Sequence, residues 1–267
     1  MRPIHYLRCF FGIAMREWLR FLNQRGRFFS ALVRPLVWLA ILATGFHFVL
    51  GVSIIPPYDT YVPYSVYIAP GLIAMILMFN GMLSSLSMVY DREMGSMRIL
   101  MVSPLPRWFL LTAKLLAGVI VSVLQAYAFL AIALIWEIEP PWFGYLAVLP
   151  ALILSGLMLG ALGLLLSSAI RQLENFASVM NFVIFPMFFA SSALYPLWHV
   201  KEASLLLYDI CEINPFTHAV ELIRFALYGH LEPVSAAVLV AATAIFLTLA
   251  VYGYDPAKGL MARRAAE

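Results

Sequence analysis

Runs of about twenty apolar residues recur along this chain, and the prolines and charges collect in the short segments between them. In hydrocarbon, each backbone N–H and C=O must find its partner within the chain. Only helices and closed barrels meet that demand, and a spanning helix needs about 20 apolar residues. The runs here are continuous and do not alternate, which selects helices. The chain is 63% hydrophobic and 12% charged, whereas a soluble domain averages about 45–50% apolar and 25% charged. The expected fold is therefore an all-α membrane protein, one unit over 1–267, with six transmembrane helices at 29–50, 67–89, 109–135, 145–170, 176–196 and 233–254.

The segment between the second and third runs is the most informative junction. It holds Asp91, Arg92, Glu93, Arg98, a Gly95-Ser96 pair, and then Pro104 and Pro106. A charge at the bilayer centre costs about 2.5–3.5 kcal/mol even on the lenient insertion scale, so the segment should leave the membrane. Met94, Met97, Leu100 and Met101 fall at helical spacing, with the charges elsewhere around the circumference. The pattern predicts a short surface helix over 91–103, ended by the prolines. One apolar side and one charged side suit docking on a soluble partner.

Residues 1–27 read as a basic amphipathic helix lying in the membrane interface. Ile4, Leu7, Phe11, Met15, Trp18 and Leu22 fall near one face, and Arg8, Arg16, Arg20 and Arg27 crowd the others. The segment is too long and too aromatic for the n-region of a signal peptide. Positive charge orients the spans. With the N-terminus inside, all of the 17 Lys and Arg residues except Lys201 and Arg224 lie at or near the cytoplasmic side. Both termini are thus expected in the cytoplasm, and Cys9 and Cys211 on opposite sides of the bilayer, where no disulfide joins them.

Tyr90-Asp91-Arg92-Glu93-x-Gly95-Ser96-x-Arg98, Leu100, Ser103-Pro104-Leu105-Pro106-Arg107 and Lys114 together resemble the coupling segment of ABC-2 type transporter permeases. These are the membrane subunits of exporters driven by separate ATP-binding-cassette subunits. The likeness covers most of the chain. It is similar to the branch of nodulation-factor and daunorubicin-type export permeases, and more weakly to permeases of quinoprotein alcohol dehydrogenase systems. The resemblance implies that Asp91, Arg92, Glu93, Gly95, Ser96, Arg98, Leu100 and Met101 couple the chain to an ATPase. It further implies a connecting helix at the N-terminus and re-entrant outer helices after the fifth span. Asn214-Pro215-Phe216, with Glu221 and Arg224, resembles that outer segment.

Few polar residues interrupt the spans. Asn80, Ser84 and Ser87 share a face of span two, and Ser178, Asn181, Phe185 and Ser192 do much the same on span five. Polar groups at membrane depth face protein or water. These faces either line a substrate route between two copies of the chain or make ordinary interhelical hydrogen bonds. The resemblance favours the route, since spans two and five line it in the family. Gly156-x-x-x-Gly160 with Gly163, and Gly81 with Ser85, mark close helix packing. Phe182, Phe185, Phe188 and Phe189 around Pro186 would serve as an apolar gate or as packing. Glu221 and Arg224, at i and i+3, are spaced to pair.

The chain has no GxxxxGK[ST] phosphate loop, no HExxH and no GxSxG. The five histidines make no metal-like pair, so no catalytic or metal-ligating residue is expected. Ionisable residues are scarce in span centres, which argues against an ion-coupled carrier. The expected function is a multi-pass permease subunit of the bacterial inner membrane that is not itself an enzyme. It would export an amphipathic or lipid-like substrate. Its partners would be a second copy of itself, two ATPase subunits holding the ATP and Mg, and membrane lipid, with no nucleic acid. A non-transporting scaffold and a secondary carrier are the rival readings.

Overall fold

The computed structural model describes residues 3–23, 25–45, 56–58, 62–93, 106–170 and 172–254. These residues form helices and their connections, with no β-strand among them. In chain order the helices are α1 (Pro3–Asn23), α2 (Arg25–Gly45), α3 (Tyr64–Glu93), α4 (Arg107–Ala133), α5 (Gly144–Ala169), α6 (Leu173–Phe189), α7 (Leu197–Ala203), α8 (Leu205–Ile213), α9 (Pro215–Leu227) and α10 (Pro233–Gly253). A 3-10 turn, Leu134–Trp136, follows α4.

Four of these helices are long and apolar enough to cross a membrane: Tyr64–Tyr90, Arg107–Trp136, Gly144–Ala169 and Pro233–Gly253. They match the second, third, fourth and sixth predicted spans to within a turn. The first and fifth predicted spans are shorter as helices, with apolar lengths of Leu32–Gly45 and Leu173–Phe189. Residues 46–50 of the first lie outside the described residues. The fifth was expected to reach 196 but ends at Phe189. At about 1.5 Å per residue its 17 residues rise about 26 Å, the lower limit for a span.

α3 is apolar all round from Val66 to Phe79 and lies at the centre, in contact with α2, α4, α5, α6 and α9. A stretch that is apolar on every side reads as buried. Ile68, Leu72, Ile73, Met75, Leu77 and Met78 are each no more than 1% exposed. Glycine sets how closely α5 meets α3. A Cβ on Gly81 would stand 2.9 Å from the Gly160 Cα, and one on Gly163 would stand 2.8 Å from the Gly81 carbonyl oxygen. The two backbones touch there, as the small-residue spacing predicts. α10 packs on α5 and exposes Val234, Val240, Ile245 and Leu249.

α1 lies against α4, with Tyr6 edge-on to Phe109 at 5.0 Å. Ile4, Leu7, Phe11, Met15 and Leu22 are exposed, while Trp18 is half-buried. The row of apolar residues read from the sequence therefore faces outward from the bundle, and the neighbouring row holding Tyr6 and Ile13 turns toward it. α3 continues without a break through Asp91 and Arg92 to Glu93. The rest of the expected 91–103 helix, including Gly95, Ser96, Arg98, Leu100 and Met101, lies outside the described residues.

Candidate functional site

The chain turns sharply where span five was expected to continue. Ser191, Ser192, Ala193 and Leu194, just past α6, are all buried. A buried turn must satisfy its backbone groups locally. The Ser191 hydroxyl donates to the Phe188 carbonyl at 2.6 Å and accepts from the Ala193 N–H at 3.2 Å. Two tyrosines at the start of α3 supply further donors. Tyr64 Oη donates to the Leu194 carbonyl at 2.7 Å and Tyr67 Oη to the Ser192 carbonyl at 3.1 Å. Gly71 lets the turn sit directly on α3, because a Cβ there would stand 2.7 Å from Ala193.

The residues after the turn complete this outer cluster. Asn214 is the N-cap of α9, with Pro215 in the first helical turn. Its Oδ1 accepts from the Phe216 N–H at 3.0 Å. Its Nδ2 donates to the carbonyls of Met187 and Ala190, 2.7 and 2.6 Å away, at the C-terminus of α6. One side chain thus caps the beginning of one helix and the end of another. Arg224, on α9, is 2% exposed. It forms the expected ion pair with Glu221, donates to the Ser192 carbonyl at 2.8 Å, and stacks its guanidinium 4.2 Å from the Tyr67 ring centre. The i, i+3 spacing revealed the pair. Nothing in it revealed that Tyr67 and Ser192 would also accept from Arg224, since those residues are 157 and 32 positions away.

The two expected polar faces lie in different environments. On α3, the Asn80 side-chain amide bonds to Gln125 Oε1 of α4, and both groups are at least partly buried. The Ser87 hydroxyl donates to the Ser84 carbonyl at 2.7 Å. Ser84, Ser85, Ser122 and Lys114 border a gap of about 10 Å³ among α3, α4 and α5, room for one water. On α6, Ser178, Asn181 and Phe185 are exposed, and Phe182 is 78% exposed. The Ser178 hydroxyl reaches only its own helix, at the Glu174 carbonyl. Within one chain the α3 set turns toward α4 and the α6 set faces outward. Gln125 was missed from the sequence. Its position as an amide inside an otherwise apolar span was the available signal.

Glu93, the last residue of α3, is exposed. Among the described residues no group of three His, Cys, Asp or Glu side chains could hold a metal ion. Cys9 and Cys211 are free thiols.

Residues 8–228 match the model of the ABC-2 type transporter family. Over 170 residues the chain is 33% identical to the "Probable multidrug ABC transporter permease YbhR" of Escherichia coli K12, covering 62% of this chain and 45% of that relative. It thus spans less than half the length of YbhR. It is 26% identical over 203 residues to the "Putative transport permease ycf38" of Cyanophora paradoxa, covering 75% of this chain and 67% of that one. A third match, to nodulation protein J of Neorhizobium galegae, is 28% identical over 92 residues and covers 34% of each chain. The family match takes in α3, α4, α5, the buried turn after α6 and the outer cluster up to Tyr228, and on that extent the chain belongs to the ABC-2 type transporter family.

Proposed function

We propose that this chain is the permease subunit of an ABC transporter and works as a homodimer with two ATP-binding-cassette ATPases. The observation that carries this reading is the outward face of α6. Asn181 and Ser178 stand exposed on a helix that is otherwise apolar beyond its first turn, beside Phe182 and Phe185. A carboxamide facing lipid chains has no hydrogen-bond partner, so such a face belongs against protein or a wetted route. A second copy presenting the same face would enclose a passage with polar rungs and aromatic walls. The family match and the permease names of the relatives support transport as its use.

In this reading six spans cross the inner membrane, with both termini in the cytoplasm. The two short apolar helices α2 and α6 are counted among the spans. α8 and α9 are the re-entrant outer helices, a reading supported for α9 by the burial of Phe216, Ala219, Val220 and Ile223 among the long helices. Residues 91–103 receive the push of the ATPases, which hold the ATP and Mg. The first three of these residues, 91–93, belong to α3, which would carry that push to the centre of the bundle. The passage is lined by Ser178, Asn181 and Phe185 of α6, whereas Asn80, Ser84 and Ser87, on the α3 face that turns toward α4, would line it only once α3 and α4 part. The cargo leaves the cytoplasm and is amphipathic or lipid-like, in keeping with the aromatic wall.

Cysteine cross-linking in native membranes tests the dimer. Asn181→Cys should give a covalent dimer, while a cysteine at Val240 on the outward side of α10 should not. Equal cross-linking at both sites, or none at Asn181, would overturn it. Co-purification of an ATPase, followed by ATP-dependent cargo movement in proteoliposomes, tests the remainder. Membrane complexes that move no solute would favour the scaffold reading.

A further inference from the structure

We infer that Arg34, with Phe79 and Trp38, forms a binding site at membrane depth for the oxyanion head group of an amphipathic cargo. The guanidinium of Arg34 lies 4.0 Å from the centre of the Phe79 ring. Phe79 is midway along α3, roughly 20 Å from either end at about 1.5 Å per residue. The sequence places Arg34 near the cytoplasmic end of its span, but its charge sits against the middle of the central helix. Arg34 is exposed, and no carboxylate among the described residues lies within ion-pair distance of it.

The contrast with Arg224 is instructive. That guanidinium, buried inside the bundle, has a carboxylate and a backbone carbonyl on it. Arg34 has one ring face beneath it and an open side. An arginine at such depth stands where it meets an anion, water or a functional partner. Stacking on Phe79 holds the guanidinium plane and leaves its edge, a fork of N–H donors, for a phosphate or carboxylate.

The surroundings specify the rest of the ligand. Trp38, one turn further along α2, packs edge-on to Phe188 and Phe189 of α6, with ring centres 6.2 Å apart in each case. Phe189 stacks in turn on Phe185. Aromatic surface therefore runs from Arg34 to the exposed face of α6 that carries Asn181. One cation at the end of an apolar wall matches one anionic head on an apolar tail. A cationic amphiphile would bring a positive group against the guanidinium.

This inference rests on the permease reading for the purpose of the site, but its test needs no ATPase. The purified full chain in phosphatidylcholine nanodiscs is titrated with dodecyl phosphate, and occupancy is read by native mass spectrometry. Saturable binding is expected, weakened roughly tenfold or more in Arg34→Gln, as loss of charged hydrogen bonds implies. Arg34→Lys should bind more weakly than wild type but more tightly than Arg34→Gln, and Phe79→Leu should weaken binding several-fold while leaving the charge in place. Dodecyltrimethylammonium should not compete. Wild-type affinity in Arg34→Gln, or in both Arg34→Lys and Phe79→Leu should the glutamine variant not fold, would overturn the site. So would equal competition by the cationic probe. Displacement of dodecyl phosphate by phosphatidylglycerol at its ordinary membrane abundance would assign Arg34 to bulk lipid and overturn the cargo role. Failure at Arg34 leaves the transport reading standing, and failure to find an ATPase leaves the binding result standing.

Discussion

Arg224 donates a hydrogen bond to the Ser192 carbonyl at 2.8 Å, tying the helix after the outer turn to the turn itself. The same guanidinium pairs with Glu221 and stacks on Tyr67 of α3. Three segments therefore meet on one side chain. Arg224→Ala would leave Glu221 without its partner and the Ser192 carbonyl without this donor. Breaking a buried pair costs about 3–5 kcal/mol, and the lower figure applies because the Glu221 side chain keeps 22% exposure. Thermal unfolding in detergent should show a large loss for Arg224→Ala and a smaller one for Arg224→Lys. Equal stability of wild type and the alanine variant would remove the cluster as a structural lock.

Asn214 offers a finer test of the same region, because its oxygen and its nitrogen do different work. Asn214→Ala loses an N-cap, about 1 kcal/mol, together with the bonds to Met187 and Ala190, about 1 kcal/mol each. Asn214→Asp keeps the cap for Phe216 but points an acceptor at two carbonyls. It should be at least as destabilising as alanine, a ranking that unfolding midpoints can read directly. An aspartate variant as stable as wild type would show that capping of α9 alone matters.

The glycines of the α3–α5 contact should tolerate no side chain. A Cβ on Gly81 or Gly163 meets backbone under 3.0 Å away, so alanine at either forces the helices apart, at about 1–3 kcal/mol. Gly12 on α1 has nothing within 4 Å of such a Cβ. Gly12→Ala should be neutral or stabilising by up to about 1 kcal/mol through helix propensity. Melting curves for the three variants check the order.

Asn80 and Asn181 should separate packing from transport. Asn80→Leu strands the Gln125 amide and should lower stability by about 1 kcal/mol, near the measured range for hydrogen bonds between membrane helices. The double variant Asn80→Leu with Gln125→Leu should recover much of the loss. Asn181→Leu removes no hydrogen bond among the described residues. It should leave single-chain stability unchanged and alter cargo selectivity or dimer cross-linking. Parallel loss of protein and transport at Asn181 would mark it as a packing residue.

Glu93→Ala and Arg98→Ala should uncouple ATP hydrolysis from transport while leaving membrane insertion intact. Glu93 is exposed at the cytoplasmic end assigned to α3 in the proposed topology. The measurement is the ratio of cargo moved to ATP hydrolysed in proteoliposomes containing the ATPase. An unchanged ratio in both variants would move the contact elsewhere.

The long helices were legible because each of α3, α4, α5 and α10 forms from an uninterrupted apolar run, and helix is the conformation that satisfies such a backbone by itself. The glycine contact was legible for a related reason, since small residues one turn apart leave a flat strip whatever they meet. The end of the fifth span was not. Ser191, Ser192 and Pro196 signal a break before the outer surface, yet they do not tell that the helix stops as early as Phe189. Of the groups that hold the turn, Ser191 is local, but Tyr64, Tyr67, Asn214 and Arg224 come from elsewhere in the chain.

The linear order of residues determined where the chain is apolar for long enough to form helices, which family it belongs to, and that Glu221 and Arg224 lie one turn apart. Tertiary structure alone decided that Asn80 meets Gln125, that the α6 polar face is left outward, and that the charge of Arg34 rests on Phe79. Helix formation depends on neighbours within four residues, so it can be read along the chain. The partner of a lone polar group is set by which helix packs beside it, and that follows from the shapes of all the helices together.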